Sequence, residues 1–132
     1  MARPRFQLFT IGSPEVWWRL MSANNRDLGR AGAPLGGAQA CAAAVRALQD
    51  ELDLLVGSVH PDDSGSWRWQ LARGSEPWAV TSRAYLRSVE CRSALSSFLR
   101  AAAVADLSLE VRAFPAARVP APRRAVDAEA PA

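Results

Sequence analysis

The sequence predicts an α+β domain assembled from two copies of one structural unit. Three observations lead there. The stretch from Trp17 to Leu48 reappears, with one residue lost, between Trp67 and Phe98; each copy reads as strand, turn, strand and helix; and the linkers opening the two copies are alike in length and rich in turn formers. A period of about fifty residues present only twice is too short a run for a solenoid, which needs three or more units to bury a continuous core. Residues 1–114 therefore read as one pseudo-symmetric domain, with units at about 5–53 and 54–114 sharing one core.

The alignment rests on apolar pairs. Val16 falls on Trp67, Trp18 on Trp69, Leu20 on Leu71, Leu35 on Tyr85, Cys41 on Cys91, Val45 on Leu95 and Leu48 on Phe98.

Taken in order, Arg5 to Ile11 alternates and suits a first strand, and Gly12-Ser13-Pro14-Glu15 is a turn by composition. Val16 to Met21 is the second strand, Ala23-Asn24-Asn25-Arg26 a turn, and Asp27 to Ala31 a third, shorter strand. Gly32-Ala33-Pro34-Leu35-Gly36-Gly37 has the glycines of a phosphate loop but no Lys after them, so it reads as a loose lead into a helix. That helix is expected from about Gly37 to Leu52, with Ala38, Cys41, Val45, Leu48 and Leu52 on one stripe.

The second copy opens with a strand from Leu54 to His60 and the linker Pro61-Asp62-Asp63-Ser64-Gly65. Trp67 to Ala72 is its next strand, Arg73 to Pro77 a turn, and Trp78 to Arg83 a further strand. A helix from about Arg87 to Val104 carries Ser88, Cys91, Leu95, Phe98 and Ala102 on its stripe. Leu107 to Phe114 alternates strictly, as a closing strand should. The tail, residues 115–132, is nearly all Pro, Ala, Arg and acid; it has too few apolar anchors to offset its ordering entropy and is expected to be disordered.

Trp18-Arg19-Leu20-Met21-Ser22-Ala23-Asn24-Asn25 in the first copy, with Trp67-Arg68-Trp69-Gln70-Leu71-Ala72 and Ser82-Arg83-Ala84-Tyr85 in the second, resembles the YegP-like domain family of uncharacterised function. The family pattern is aromatic-x-aromatic-x-Leu-x-Ala-x-Asn-Gly, a short strand, Ser-x-x-Tyr and a helix, usually in tandem. Asn25 stands where the family prefers Gly, and either residue tolerates a left-handed turn position. Arg73-Gly74-Ser75 replaces Asn-Gly in the second copy and Leu35 replaces the Tyr in the first. The resemblance implies two β-β-β-α-β-like units forming one antiparallel sheet with both helices packed on one face. It carries over no catalytic residues.

Composition sets the outer bounds. The chain has 132 residues and is 49% hydrophobic and 22% charged, as ordinary globular domains are. All 16 basic residues are Arg. A net charge of +3 does not by itself make a nucleic-acid binder. The absence of a long apolar run leads to the expectation of a soluble cytoplasmic protein without membrane contact.

Candidate chemistry is sparse. His60, the single histidine, sits beside Pro61 and Asp62 with no nucleophile advertised, and reads as a turn residue. Cys41 and Cys91 fall at equivalent places on the two buried stripes, as free thiols of a cytoplasmic protein would; pseudo-symmetry also leaves a redox bond open. The carboxylates Asp50-Glu51-Asp53 and Asp62-Asp63 read as a solvated helix end and a turn. No catalytic site, metal or cofactor is implied, and the expectation is a non-enzymatic domain.

The informative surface is the second face of the sheet. With Trp18, Leu20, Trp69 and Leu71 towards the helices, alternation sends Phe9, Trp17, Arg19, Met21, His60, Arg68 and Gln70 to the opposite side. An open face of aromatic and Arg side chains suits a protein partner or self-association, suits single-stranded nucleic acid through Phe9, Trp17, Arg19 and Arg68, or is a plain surface on which Arg stems shield Trp17. The resemblance implies that tandem copies satisfy one another, so a monomer is the expected state, with dimerisation through an apolar open face as the alternative.

Overall fold

A computed structural model describes residues 3–115; the expected disorder of the tail lies outside them, save for Pro115. Seven strands and two helices follow in the order β1 (Arg5–Ile11), β2 (Trp17–Met21), β3 (Asp27–Ala31), α1 (Ala38–Asp50), β4 (Val56–Pro61), β5 (Trp67–Arg73), β6 (Glu76–Val80), α2 (Ser88–Val104) and β7 (Asp106–Phe114). The strands form a single sheet in the order β4-β5-β6-β3-β2-β1-β7. Among the described residues no helix is long and apolar enough to cross a membrane.

Local chemistry sets the boundaries. The turn between β2 and β3 places Asn25 at φ 67°, and that between β5 and β6 places Gly74 at φ 60°; both residues tolerate this left-handed region. Because the second turn closes at Gly74-Ser75, β6 starts at Glu76, earlier than the sequence suggests, and ends at Val80. The first helix stops at Asp50, short of the expected Leu52. Asp50, Glu51 and Asp53 crowd its negative end, where carboxylates are disfavoured, and Leu52–Leu54 turns instead as a short 3₁₀ segment.

One expectation needs correction. The sheet is mixed, not wholly antiparallel: β7 runs parallel to β1, with Phe6 opposite Leu107 and Leu8 opposite Val111, while the other neighbouring pairs are antiparallel. A parallel pair needs a long crossover, and the chain between β1 and β7, ending in α2, supplies it.

The two halves share local details. In the first, Val16 and Leu35 exchange backbone hydrogen bonds of 3.2 and 2.8 Å; in the second, Trp67 and Tyr85 do the same at 2.7 and 2.8 Å. These bridges anchor the chain just before each helix.

One cluster gathers Phe6, Leu8, Trp18, Leu20, Trp69 and Leu71 from the strands with Cys41, Val45 and Leu48 of α1 and Cys91, Phe98 and Ala102 of α2. At its centre the Phe98 ring lies 4.8 Å from Trp69 and 6.3 Å from Trp18, centroid to centroid. Gly29 lies beneath it: a Cβ there would stand 2.7 Å from Trp69 Cη2 and 2.9 Å from Phe98. The helices are joined at one end by Gln49, whose Nε2 donates to the carbonyls of Ala102 and Ala105 at 3.0 Å each and so satisfies groups that the end of α2 leaves open.

Gly29→Ala should therefore lower unfolding stability by about 1–3 kcal/mol, read as a reduced urea midpoint; an unchanged midpoint would mean that Phe98 does not rest on this strand. Burial also pushes the Cys41 thiol up to about 11 and raises that of Cys91. A raised folded-state pKa leaves stability whole below the ordinary thiol value of 9.0, and stability falls as pH climbs from there towards about 11. Denaturation across this window should show that decline, and Cys41→Ala should flatten it.

Candidate functional site

The strand register assigns side chains to faces, because residues opposite one another in a ladder point the same way. Phe9 lies opposite Trp17, Gln7 opposite Arg19 and Arg5 opposite Met21. Arg19 then lies opposite Arg30, Arg30 opposite Val80, and Val80 opposite Gln70. Further along, Gln70 faces Ser58, His60 faces Arg68, and on the far side Phe9 faces Arg112. All seven residues singled out in the sequence thus share the face turned away from Trp18 and Trp69.

That face is less open than alternation alone suggests. Phe9 is 4% exposed and Met21 8%; neither is an exposed contact residue. Trp17, Arg19 and Gln70 are half-buried, and only His60 and Arg68 are well exposed. Arg19 explains much of the closure. Its guanidinium carbon stands 5.4 Å from the Phe9 ring centroid and 5.3 Å from that of Phe114. Its Nε donates to Gln7 Oε1 at 2.8 Å, and Nη1 lies 3.9 Å from Asp27 Oδ2. Phe114 meets Phe9 edge-on at 6.0 Å. An Arg placed over two aromatic rings covers part of each, leaving Phe9 buried and Phe114 36% exposed, and is itself partly desolvated.

The electrostatics of Arg19 show what surrounds it. Desolvation lowers its pKa; Asp27 opposes the shift, while Arg112, Arg5 and Arg30 reinforce it by like-charge repulsion. Four guanidinium groups therefore crowd one region of the face. Arg5 is engaged with Asn25 Oδ1 at 2.6 Å and with the Ser22 carbonyl. Among the described residues, neither Arg30 nor Arg112 forms an ion pair. Arg68 stands apart, held by Asp62 at 3.2 Å, whose carboxyl is kept below its usual range chiefly by the Ser64 hydroxyl.

Sequence reasoning missed Arg5, Gln7, Arg30, Arg112 and Phe114. Arg5 and Gln7 were legible in the alternation of β1. Arg112 and Phe114 were not, because placing them beside Phe9 requires the parallel register of β7.

A cavity of about 250 Å³ opens elsewhere, between α1 and the junction of β3 with β6. Trp18, Ala44, Ala47, Leu48 and Trp78 line it, with Glu76 as its charged group. The Glu76 carboxylate accepts a hydrogen bond from Trp78 Nε1 at 3.1 Å. His60 is not part of this cavity. Cys41 and Cys91 are buried free thiols, the Sγ of Cys41 donating to the Val16 carbonyl at 3.4 Å.

With this geometry in view, the chain compares closely with two solved structures. Both are solution NMR structures. One is the YegP protein of unknown function from E. coli, at a TM-score of 0.62 and 13% identity, covering 87% of this chain and 96% of that one. The other is a UPF0339 protein from Shewanella oneidensis, at a TM-score of 0.63 and 9% identity, covering 90% and 97%. This chain has a YegP-like fold. No protein-family model and no curated protein sequence matches it. At such identities the likeness speaks for fold alone, and the site stands on its own residues.

Arg19→Ala should uncover Phe9 and cost about 1–2 kcal/mol in urea denaturation. Arg30→Ala and Arg112→Ala should each stay within about 0.5 kcal/mol. Equal effects at all three positions would show that Arg19 does not hold this face together.

Proposed function

We propose that the chain is a duplicated, non-enzymatic binding module, its two helices covering one face of the sheet and its other face taking an acidic segment of a partner protein. The observation that carries this reading is the convergence of Arg5, Arg30 and Arg112 on Arg19. Like charges held together cost free energy in the isolated domain, and an anionic partner relieves that cost. Arg also offers planar, bidentate recognition of carboxylates. Duplication is supported by the matching bridges Val16–Leu35 and Trp67–Tyr85. The non-enzymatic reading is supported by the position of His60 on an edge strand, away from the cavity and opposite Arg68.

Single-stranded nucleic acid is the second reading. It draws on the same arginines but asks for free aromatic faces on which bases can stack. Phe9 is beneath Arg19, which leaves half-buried Trp17 as the available ring, so the acidic polypeptide fits the face better.

A glutamate-rich peptide and a single-stranded RNA of equal charge, titrated against the protein at low and high salt, distinguish the two. The peptide should bind in a salt-sensitive way, and Arg30→Glu combined with Arg112→Glu should weaken it about tenfold or more, on the order of a charge-assisted pair, without unfolding the domain. Tighter RNA binding that quenches tryptophan fluorescence and is lost in Trp17→Ala would instead establish the nucleic-acid reading. No binding of either probe would overturn both.

A further inference from the structure

The two margins of the sheet differ. In the first half, β1 is covered by β7; in the second, β4 holds the place that β1 holds in the first, and among the described residues no strand pairs with its outer side. The direction of its free groups follows from its neighbour. Trp67 exchanges hydrogen bonds with Tyr85, and the Trp69 carbonyl accepts from the Thr81 N–H, so these residues of β5 turn their backbone groups away from β4. Alternation then turns those of Arg68, Gln70 and Ala72 towards β4, onto their partners His60, Ser58 and Val56. What remains pointing outward is the N–H and C=O of Gly57 and of Val59, with the carbonyl of Pro61.

This margin lacks the charges that usually protect an edge, and its one blunting residue, Pro61, stands at its C-terminal end. Val56-Gly57-Ser58-Val59-His60-Pro61 has no Asp, Glu, Lys or Arg, whereas β7 on the other margin carries Asp106, Glu110 and Arg112. Exposed edge strands without charges are templates for further pairing. Val56 is 67% exposed. Above the strand, Leu95 of α2 comes within 2.9 Å of where a Gly57 Cβ would stand, and it is only half-buried; Val45, at the corresponding place in α1, is fully buried.

We propose that β4 is a dimerisation edge, at which two copies of this chain pair antiparallel about a two-fold axis through Ser58 and join their sheets. The outward groups are self-complementary in this register. Gly57 and Val59 flank Ser58 symmetrically, each with one free donor and one free acceptor. Gly57 exchanges both hydrogen bonds with Val59 of the partner subunit, and Val59 does the same with the partner's Gly57. His60 then lies opposite the partner's Val56, so no charge meets its like, and the apolar side chains of Val59 and Leu95 are carried towards their mates. The proposal does not depend on the basic face, which belongs to the other half of the sheet.

Sedimentation equilibrium of the full chain should give twice the monomer mass of 14.2 kDa at high concentration. Ser58→Lys, which sets two like charges against each other across the axis, should return the monomer, as should Val59→Pro, which removes an outward donor without breaking a bond to β5. Amide exchange on the unaltered protein provides a check that needs no variant: Gly57 and Val59 should be protected, and increasingly so with concentration. A monomeric mass at all concentrations, fast exchange at both amides, or a dimer undisturbed by Ser58→Lys in a folded protein would each overturn the proposal.

Discussion

The position of Phe98 over Gly29, between Trp18 and Trp69, is the constraint on which the rest of the structure turns. One ring from α2 touches strands of both halves, and it reaches them because β3 presents no side chain beneath it. Interiors are packed close to crystalline density, so a ring in that position fixes the spacing of helix and sheet to a few tenths of an ångström. Cys41 of α1 and Cys91 of α2, small and apolar, are both fully buried in the same cluster. The union of β3 with β6, only two residue pairs long, gains from this clamp what its short ladder does not supply.

The face turned away from Trp18 and Trp69 carries its own protection, and here the exclusive use of Arg has a physical consequence. A guanidinium plane can lie on Phe9 and Phe114 while its edge donates to Gln7; a compact ammonium would cover less ring and bond at a point. Shielding by Arg19 brings a cost, since Arg5, Arg30 and Arg112 repel it and Asp27 answers only part of that charge. On the proposed reading, the cations that this shielding crowds together are also what the carboxylates of an acidic partner would meet.

Much of this was legible in the residues. Period-2 alternation around Trp18 and Trp69 assigns both to the core, and Cys41, Val45 and Leu48 at helical spacing define the buried stripe of α1 as observed. The bridges at Leu35 and Tyr85 were foreshadowed by their pairing in the internal alignment. What failed to be legible is non-local. Nothing within Leu107 to Phe114 says that this strand joins β1 in parallel, and without that pairing Phe9 looks bare although Phe114 abuts it. Likewise, alternation tells which way Arg19 points but not that its long side chain folds back over a neighbour. Face is a local property of a strand; exposure on that face depends on partners far along the chain.

The two halves of the sheet are finished differently. Where the second half has Phe98 and Tyr85, the first has Leu48 and Leu35, and with Ala44 and Ala47 on α1 these smaller side chains leave the cavity beside Trp18 unfilled. The cavity also takes Glu76 and Trp78 from the second half, so the apolar atoms along it forfeit dispersion contacts while the stripe of Cys41, Val45 and Leu48 on α1 stays buried. β7, which follows α2 in the chain, crosses to the first half, where it lies along β1 and against α1. In the second half Leu95 stays half-buried above β4, whose outer side has no partner strand among the described residues. One margin of the sheet is thus closed by a strand from the far end of the described chain, and the other is left with its own backbone groups.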